Sequence, residues 1–208
     1  WTSKASYCDK CLLLVRTTPR DEVERGVEGM TLLLADIQRP EVEITPIPKA
    51  GRNAVVSCEV VYDDLPVPVA DRVGEEGMGF RYLLEGLNSE RILIAAEAIG
   101  IGKAALRRAV QYGRDRVVFG RPIGQNQGIQ FPIAKAYAAT EAADLMVQKA
   151  ATLFDAGARP AAEANMAKML AADAAWEAAN TCLQAHGGFG FGIQKIQVHS
   201  LARKSLQR

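Results

Sequence analysis

The sequence predicts an α+β chain: a small β-barrel or sandwich over residues 1–75, then an antiparallel helical bundle over residues 76–208. Two observations carry this. Apolar residues fall in short, often alternating runs up to about Tyr62, and from Gly79 they recur at three- and four-residue spacing. The second half also holds long alanine-rich stretches, one with proline near its start and glycine past its end, as expected of helix termini.

In order, Cys11–Arg16, Met30–Ala35, Val42–Pro48 and Val55–Tyr62 read as strands. Turn-forming clusters separate them: Thr18-Pro19-Arg20-Asp21, Arg39-Pro40 and Lys49-Ala50-Gly51-Arg52-Asn53. Strands at this spacing suit a small barrel or sandwich. Asp63-Asp64-Leu65-Pro66-Val67-Pro68 leads out of the sheet region.

Phe80–Val118 then reads as a long helix, with Leu84, Leu87, Leu93, Ala96, Ile99, Leu106 and Val110 at helical spacing. Gly86, Gly100, Gly102 and Gly113 interrupt it, each costing about 1 kcal/mol relative to alanine, so they mark close packing or a break. A second helix is expected from near Gln130 to Asp155. A third starts with Pro160 in its first turn, runs through Ala185 and stops at Gly187-Gly188. Long helices joined by short loops make a bundle.

The bulk numbers are those of an ordinary globular chain: 208 residues, 49% hydrophobic and 24% charged. Lys plus Arg (25) nearly balances Asp plus Glu (24), so no broad basic field for nucleic acid or an anionic membrane is implied. No apolar run approaches the ~18 residues of a membrane span. The four cysteines are Cys8, Cys11, Cys58 and Cys182. Cys8 and Cys11 have CxxC spacing, but no second pair supplies further zinc ligands, and a redox CxxC opens a helix rather than preceding a strand. They read as reduced structural thiols of an intracellular protein. Trp1 opens directly onto strand-like sequence, which reads as a missing N-terminus.

Three segments carry more than generic content. Arg116-Val117-Val118-Phe119-Gly120-Arg121-Pro122-Ile123, followed by Gln125-Asn126-Gln127, combines a guanidinium, a turn and a helix start. That combination serves either a phosphate-bearing ligand or an ordinary interhelical loop. Gln184-Ala185-His186-Gly187-Gly188-Phe189-Gly190-Phe191 allows backbone to approach a ligand, or simply ends a helix; no strand precedes it, which disfavours a Rossmann site. Gly86-Leu87-Asn88-Ser89-Glu90-Arg91-Ile92 places a carboxylate in apolar helical sequence, where it is either a general base raised by burial or a solvated Glu beside an Arg.

Together these segments, in this order, resemble the acyl-CoA dehydrogenase family from Trp1 to about Phe191. Trp1-Thr2-Ser3 before a strand, Val67-Pro68 and Val73-Gly74-Glu75-Glu76-Gly77-Met78-Gly79-Phe80 are further marks. The resemblance implies a middle β domain (1–75, partial, flavin side) and a C-terminal helical domain (76–208), with the family's N-terminal helical domain missing. It also implies FAD, an acyl-CoA substrate, an electron-transferring flavoprotein as partner, and a homotetrameric, dimer-of-dimers assembly acting in fatty acid β-oxidation. The implied location is cytoplasmic, or the mitochondrial matrix in a eukaryote.

Residue by residue, the resemblance places the Thr2 hydroxyl at flavin N5 and Trp1 in the flavin region. Arg116, Phe119 and Gln127 match residues that hold the pyrophosphate and adenosine side of FAD across a subunit boundary. Gln184, Gly187 and Gly188 match the loop at the adenine end. The family's catalytic Glu occupies one of two positions, late in a C-terminal segment or on the first bundle helix just before an Arg; Glu90-Arg91 matches the second. Glu90 is thus the expected base, with Arg91 orienting the site and Asn88 contacting the pantetheine arm. Glu97, seven residues on, lines the far acyl pocket or faces solvent, the latter being favoured. His186 and His199 are assigned structural or exposed roles.

After Phe191 the sequence departs from the family, which continues with acidic residues, an aromatic and an Arg–Asp pair. Residues 192–208 contain no Asp or Glu, so the expectation is a truncated or frame-shifted tail and an inactive isolated fragment. Two other functions fit the same fold: a flavin oxidase, and a non-catalytic or nucleic-acid-binding relative. The near-neutral charge and the Glu90-Arg91 pair argue against the last.

Overall fold

In the computed structural model, residues 1–49 and 54–191 are described. Six short strands precede the helices: β1 (Thr2–Ser3), β2 (Lys10–Arg16), β3 (Met30–Asp36), β4 (Val42–Pro46), β5 (Ser57–Tyr62) and β6 (Arg72–Val73). They form two antiparallel sheets, ordered β1-β5-β4 and β2-β3-β6. Leu12 lies opposite Leu34 in one sheet and Ile44 opposite Val60 in the other. Cys11 from one sheet and Ile44 and Val60 from the other pack on a shared cluster of Ala5, Ile37 and Cys58. Among the described residues the strands do not close into a barrel, so the sandwich alternative is the one realised.

β4 and β5 are each two residues shorter at the connecting end than their sequence suggests. Pro46 and Pro48 have no N–H to extend a ladder; only Ile47 between them continues it, donating its N–H to Ser57 O at 2.8 Å. Part of the Lys49–Asn53 turn cluster, residues 50–53, lies outside the described residues.

The helices are α1 (Gly79–Asp115), α2 (Gln127–Asp155) and α3 (Ala161–His186). Contacts divide the chain into two compact units, Trp1–Gly86 and Leu87 onward, with the division inside α1. In the second unit the apolar clusters fix the helix directions. Ile92, Ala95 and Ile99 of early α1 share a cluster with Ala143, Val147 and Ala150 of late α2 and Ala164–Ala175 of early α3. Ala105, Leu106 and Ala109 of late α1 meet Ala136 of early α2 and Ala178–Ala185 of late α3. Each helix is therefore antiparallel to the next. Because the buried positions are mostly alanine, the helices approach closely without large side chains to interlock.

Three boundaries correct the sequence reading. α1 ends at Asp115 rather than Val118, because Val117–Val118 (β7) pair with Arg121–Pro122 (β8) in a hairpin. α2 begins at Gln127, since Asn126 O already accepts from the N–H groups of Ile129 and Gln130. Pro160 caps α3 from just outside it, its carbonyl accepting from Ala164 N–H at 2.8 Å. None of the four glycines breaks α1. At Gly102 a Cβ would meet Ala175 at 3.4 Å, and at Gly113 it would meet Gly124 at 3.5 Å; at Gly86 and Gly100 it would meet nothing.

Candidate functional site

The expected site residues fall into three patches, two of them in the helical unit. The first lies near the start of α1. Asn88 and Arg91 are both half-buried, and Arg91 Nη1 donates to Asn88 Oδ1 at 3.0 Å. Their i,i+3 spacing puts them on one helix face. Glu90 belongs to a different face, which also carries Leu93, Ala96 and Gly100, all exposed. The burial expected of a general base is thus not supplied by packing within this chain. Glu97, expected to face solvent, is half-buried instead.

The second patch is at the opposite end of α1. Arg116 closes the helix by donating its N–H to Tyr112 O and accepting from Ile123 N–H, both at 2.9 Å. Phe119 and Gly120 form the two-residue hairpin loop, with φ of 53° and 78°. Positive φ at both loop positions matches the right-handed twist of the strands, but for Phe119 it is strained. The ring is nonetheless fully exposed. Arg121 Nη2 donates to Asn126 Oδ1 at 2.7 Å and Asn126 Nδ2 donates to Ile123 O at 3.0 Å, which braces the turn. Gln127, the first residue of α2, is exposed.

The end of α3 joins this patch. His186 is buried, its ring stacked on Tyr112 with centroids 4.1 Å apart, and its Nδ1 lies 2.7 Å from Cys182 O. A hydrogen bond to a carbonyl requires that Nδ1 carry the proton. Tyr112 is one turn before Arg116, so the stack sets Gln184–Gly188 beside the hairpin end of the bundle. Gln184, Gly187 and Gly188 are exposed, and a Cβ at either glycine would meet nothing. Gly187 ends α3 at a φ of 55°, a conformation that favours glycine, whereas packing within the chain gives no reason for glycine at 188.

The third patch is in the β unit. Thr2 lies on β1 opposite Cys58 and is half-buried, while Trp1 is largely exposed. Within the helical unit, Arg116 follows the last residue of α1 and stands 26 residues after Glu90, or about 39 Å along the helix axis. The structure therefore joins the Arg116–Gln127 and Gln184–Gly188 motifs and holds both far from Glu90. His199 and the tail from residue 192 lie outside the described residues.

Sequence reasoning missed three features. A groove of about 520 Å³ between α1 and α2 is floored by Leu106, Val110, Ile129, Ile133 and Tyr137. Beside it Lys103 reaches Asp144 at 2.6 Å and Glu141 at 3.6 Å; the Asp144 hydrogen bond, before any other cause, raises the Lys103 pKa. The Tyr112–His186 stack joins residues 74 positions apart; no local signal predicts it. All four cysteines are free thiols, and no cluster of His, Cys, Asp and Glu among the described residues could hold a metal. No helix among them is long and apolar enough to cross a membrane.

Comparison with known proteins gives one family. The family model for the C-terminal domain of acyl-CoA dehydrogenases matches residues 77–207. An acyl-CoA dehydrogenase of Bacillus subtilis is 45% identical over 169 residues, covering 81% of this chain and 45% of the relative. The acryloyl-CoA reductase (NADH) of Anaerotignum propionicum is 37% identical over 171 residues, covering 82% and 43%. The solved structure of butyryl-CoA dehydrogenase from Megasphaera elsdenii superposes with a TM-score of 0.90 at 30% identity, covering 98% of this chain and 53% of that one. The chain spans about half the length of the curated relatives it matches. With more than half its residues matched by the family model and nearly all of them superposed on a member's structure, the chain belongs to the acyl-CoA dehydrogenase family.

Proposed function

We propose that the protein containing this chain dehydrogenates an acyl-CoA thioester between Cα and Cβ, with FAD as cofactor and an electron-transferring flavoprotein as electron acceptor. The observation that carries the reading is Glu90, an exposed carboxylate on the side of α1 that also carries the exposed Leu93, Ala96 and Gly100. The residues present fit a flavin dinucleotide. Phe119 is held in a strained conformation with its ring outside the chain's own packing, Arg116 and Gln127 are exposed beside it, and Gly187-Gly188 leave open space where side chains would stand.

Arg116 would pair with the pyrophosphate, Phe119 and Gln127 would hold the adenosine side, and Gln184 with the two glycines would take the adenine end. Thr2 would offer its hydroxyl to the flavin ring. When bound, FAD supplies the acceptor for the β-hydrogen, which leaves with its electron pair. Glu90 takes the α-proton, and the two departures leave a Cα–Cβ double bond. An acyl chain laid on the Glu90 face would desolvate the carboxylate and make it a stronger base. Glu90 and the hairpin are too far apart in one chain to serve a single site, which supports a homo-oligomer in which one copy lends its hairpin to another. The dimer-of-dimers form and a role in fatty acid β-oxidation are part of the same proposal.

The test is an anaerobic titration of the complete purified protein with acyl-CoAs of graded length, followed by visible spectroscopy. Flavin bleaching by one length class, and a turnover lower by about 10²–10⁴-fold in Glu90→Gln, are expected. Bleaching that survives the substitution would move the base elsewhere. A protein without flavin would remove the enzymatic reading.

A further inference from the structure

The groove between α1 and α2 serves none of the roles assigned above. Neither Glu90 nor Arg116, Phe119, Gln127 or Gln184 lines it. Its walls are two apolar stripes, Leu106 and Val110 one turn apart on α1 and Ile129 and Ile133 one turn apart on α2. Toward the hairpin, Gly113 and Gly124 meet backbone to backbone, which holds the two walls together there. An apolar hollow of about 520 Å³ has the size of a small-molecule site, typically ~300–1,000 Å³. A stably docked protein segment needs a broader face, about 800 Å² per partner.

Most polar groups around the groove are committed within the chain. An adjoining hollow shares Leu106, Val110, Arg114 and Tyr137 with it and adds Lys103, Arg107, Gln111 and Glu141. Lys103 is held by Asp144 and Glu141. Gln111 donates to the Asp115 carboxylate, and Gln130 donates to Gly124 O at 2.8 Å. Arg107 and Arg114 are exposed, and their side chains have no ion pair or hydrogen bond among the described residues. They stand on one side of α1, about 10 Å apart along it. Arg114 borders both hollows, so the apolar groove runs up to an uncommitted guanidinium. Residues 192–208 hold Lys195, Arg203, Lys204 and Arg208 and no Asp or Glu, so their charge has the same sign as this rim and does not complement it.

We propose that the α1–α2 groove binds a medium-chain fatty acid, with its alkyl tail on Leu106, Val110, Ile129 and Ile133 and its carboxylate on Arg114. The planar guanidinium accommodates a carboxylate through two parallel hydrogen bonds, and the tail removes the two apolar stripes from water. From Leu106 to Arg114 α1 rises about 12 Å, which an extended tail of about ten carbons spans. Arg107 adds a second positive charge on the same side and disfavours a cationic amphiphile. Glu90 precedes Leu106 by about 24 Å along α1, so the groove is separate from the carboxylate of the proposed reaction.

The test measures binding of decanoate to the complete flavin-loaded protein by titration calorimetry, with decan-1-ol as a similar tail without charge. Decanoate is expected to bind saturably at one site per chain. Arg114→Met keeps the stem of the side chain and removes its fork; it should weaken decanoate about tenfold and leave decan-1-ol unchanged. Val110→Glu sets a carboxylate in the path of the tail and should weaken both ligands by at least about tenfold. Both positions are exposed, so both variants are expected to melt with wild type. Excess butyryl-CoA should not displace decanoate.

No saturable binding overturns the proposal and means that a second copy or another part of the assembly fills the groove. Equal weakening of both ligands by Arg114→Met overturns it, as does wild-type decanoate binding in Val110→Glu. Displacement by butyryl-CoA would put decanoate in the site of the proposed reaction and overturns it as well.

Discussion

Two faces of α1 use glycine differently. On one, Gly102 faces Ala175 of α3 and Gly113 faces Gly124, so that helices and turn meet backbone to backbone. On the other, a Cβ at Gly86 or Gly100 would meet nothing. On the first face the missing side chain is explained by what packs there. On the second nothing packed against the position requires glycine, and the same is true of Gly188, whereas Gly187 ends α3 at a φ of 55° that itself favours glycine. A glycine that costs helix stability where an added side chain would have room marks a surface shaped for something else.

Adding one methyl group at each kind of position breaks or sharpens this contrast. The largest effect is expected at Gly124→Ala. Its Cβ would sit 2.8 Å from the carbonyl oxygen of Gly113, and relieving that clash should cost about 1–3 kcal/mol and visibly lower the melting temperature. An unchanged melt would show that α1 and the turn before α2 are not held in contact.

Gly100→Ala is expected to go the other way, raising stability by about 0.5–1 kcal/mol through helix propensity and a less flexible unfolded chain. Gly188→Ala should leave the melt of the flavin-free protein unmoved but weaken flavin retention, measured by equilibrium dialysis. If both variants were neutral in stability and in ligand binding, the open glycines would have no functional meaning.

The smallest effect concerns the β unit. Burial first, and then the neighbouring Cys11, push the Tyr62 phenol from 10.0 up to about 12. The folded state thus favours the neutral phenol. This contribution is complete below pH 10 and is lost as pH rises toward 12. Tyr62 is 37% exposed, which discounts the effect to no more than about 1 kcal/mol. The melting temperature should fall between pH 10 and 12, and less steeply in Tyr62→Phe; parallel curves would rule the contribution out.

Much of the fold was legible because its signals are local. The period-two and period-3.6 runs placed four of the strands and all three helices within a few residues. The boundary errors came where a backbone group was committed to a neighbour: Val117 and Val118 to the hairpin, and Asn126 O to the start of α2. The two-residue strands β1 and β6 are too short to carry a periodic signal. Of the candidate site, Glu90, Arg116, Phe119 and Gln184 were visible as residue types in ordered motifs, but their exposure was not.

The sequence by itself determined the order of elements, the antiparallel bundle, the family and the candidate residues, since each rests on patterns within a few turns of chain. Only the tertiary structure decided that His186 stacks on Tyr112 and gathers two motifs at one end of the bundle. It also decided that Glu90 is exposed, that Arg91 holds Asn88 by its carbonyl, and that two glycines of α1 are packed while two are open. Those outcomes depend on which surfaces meet and which way side chains turn, and a local pattern sets neither.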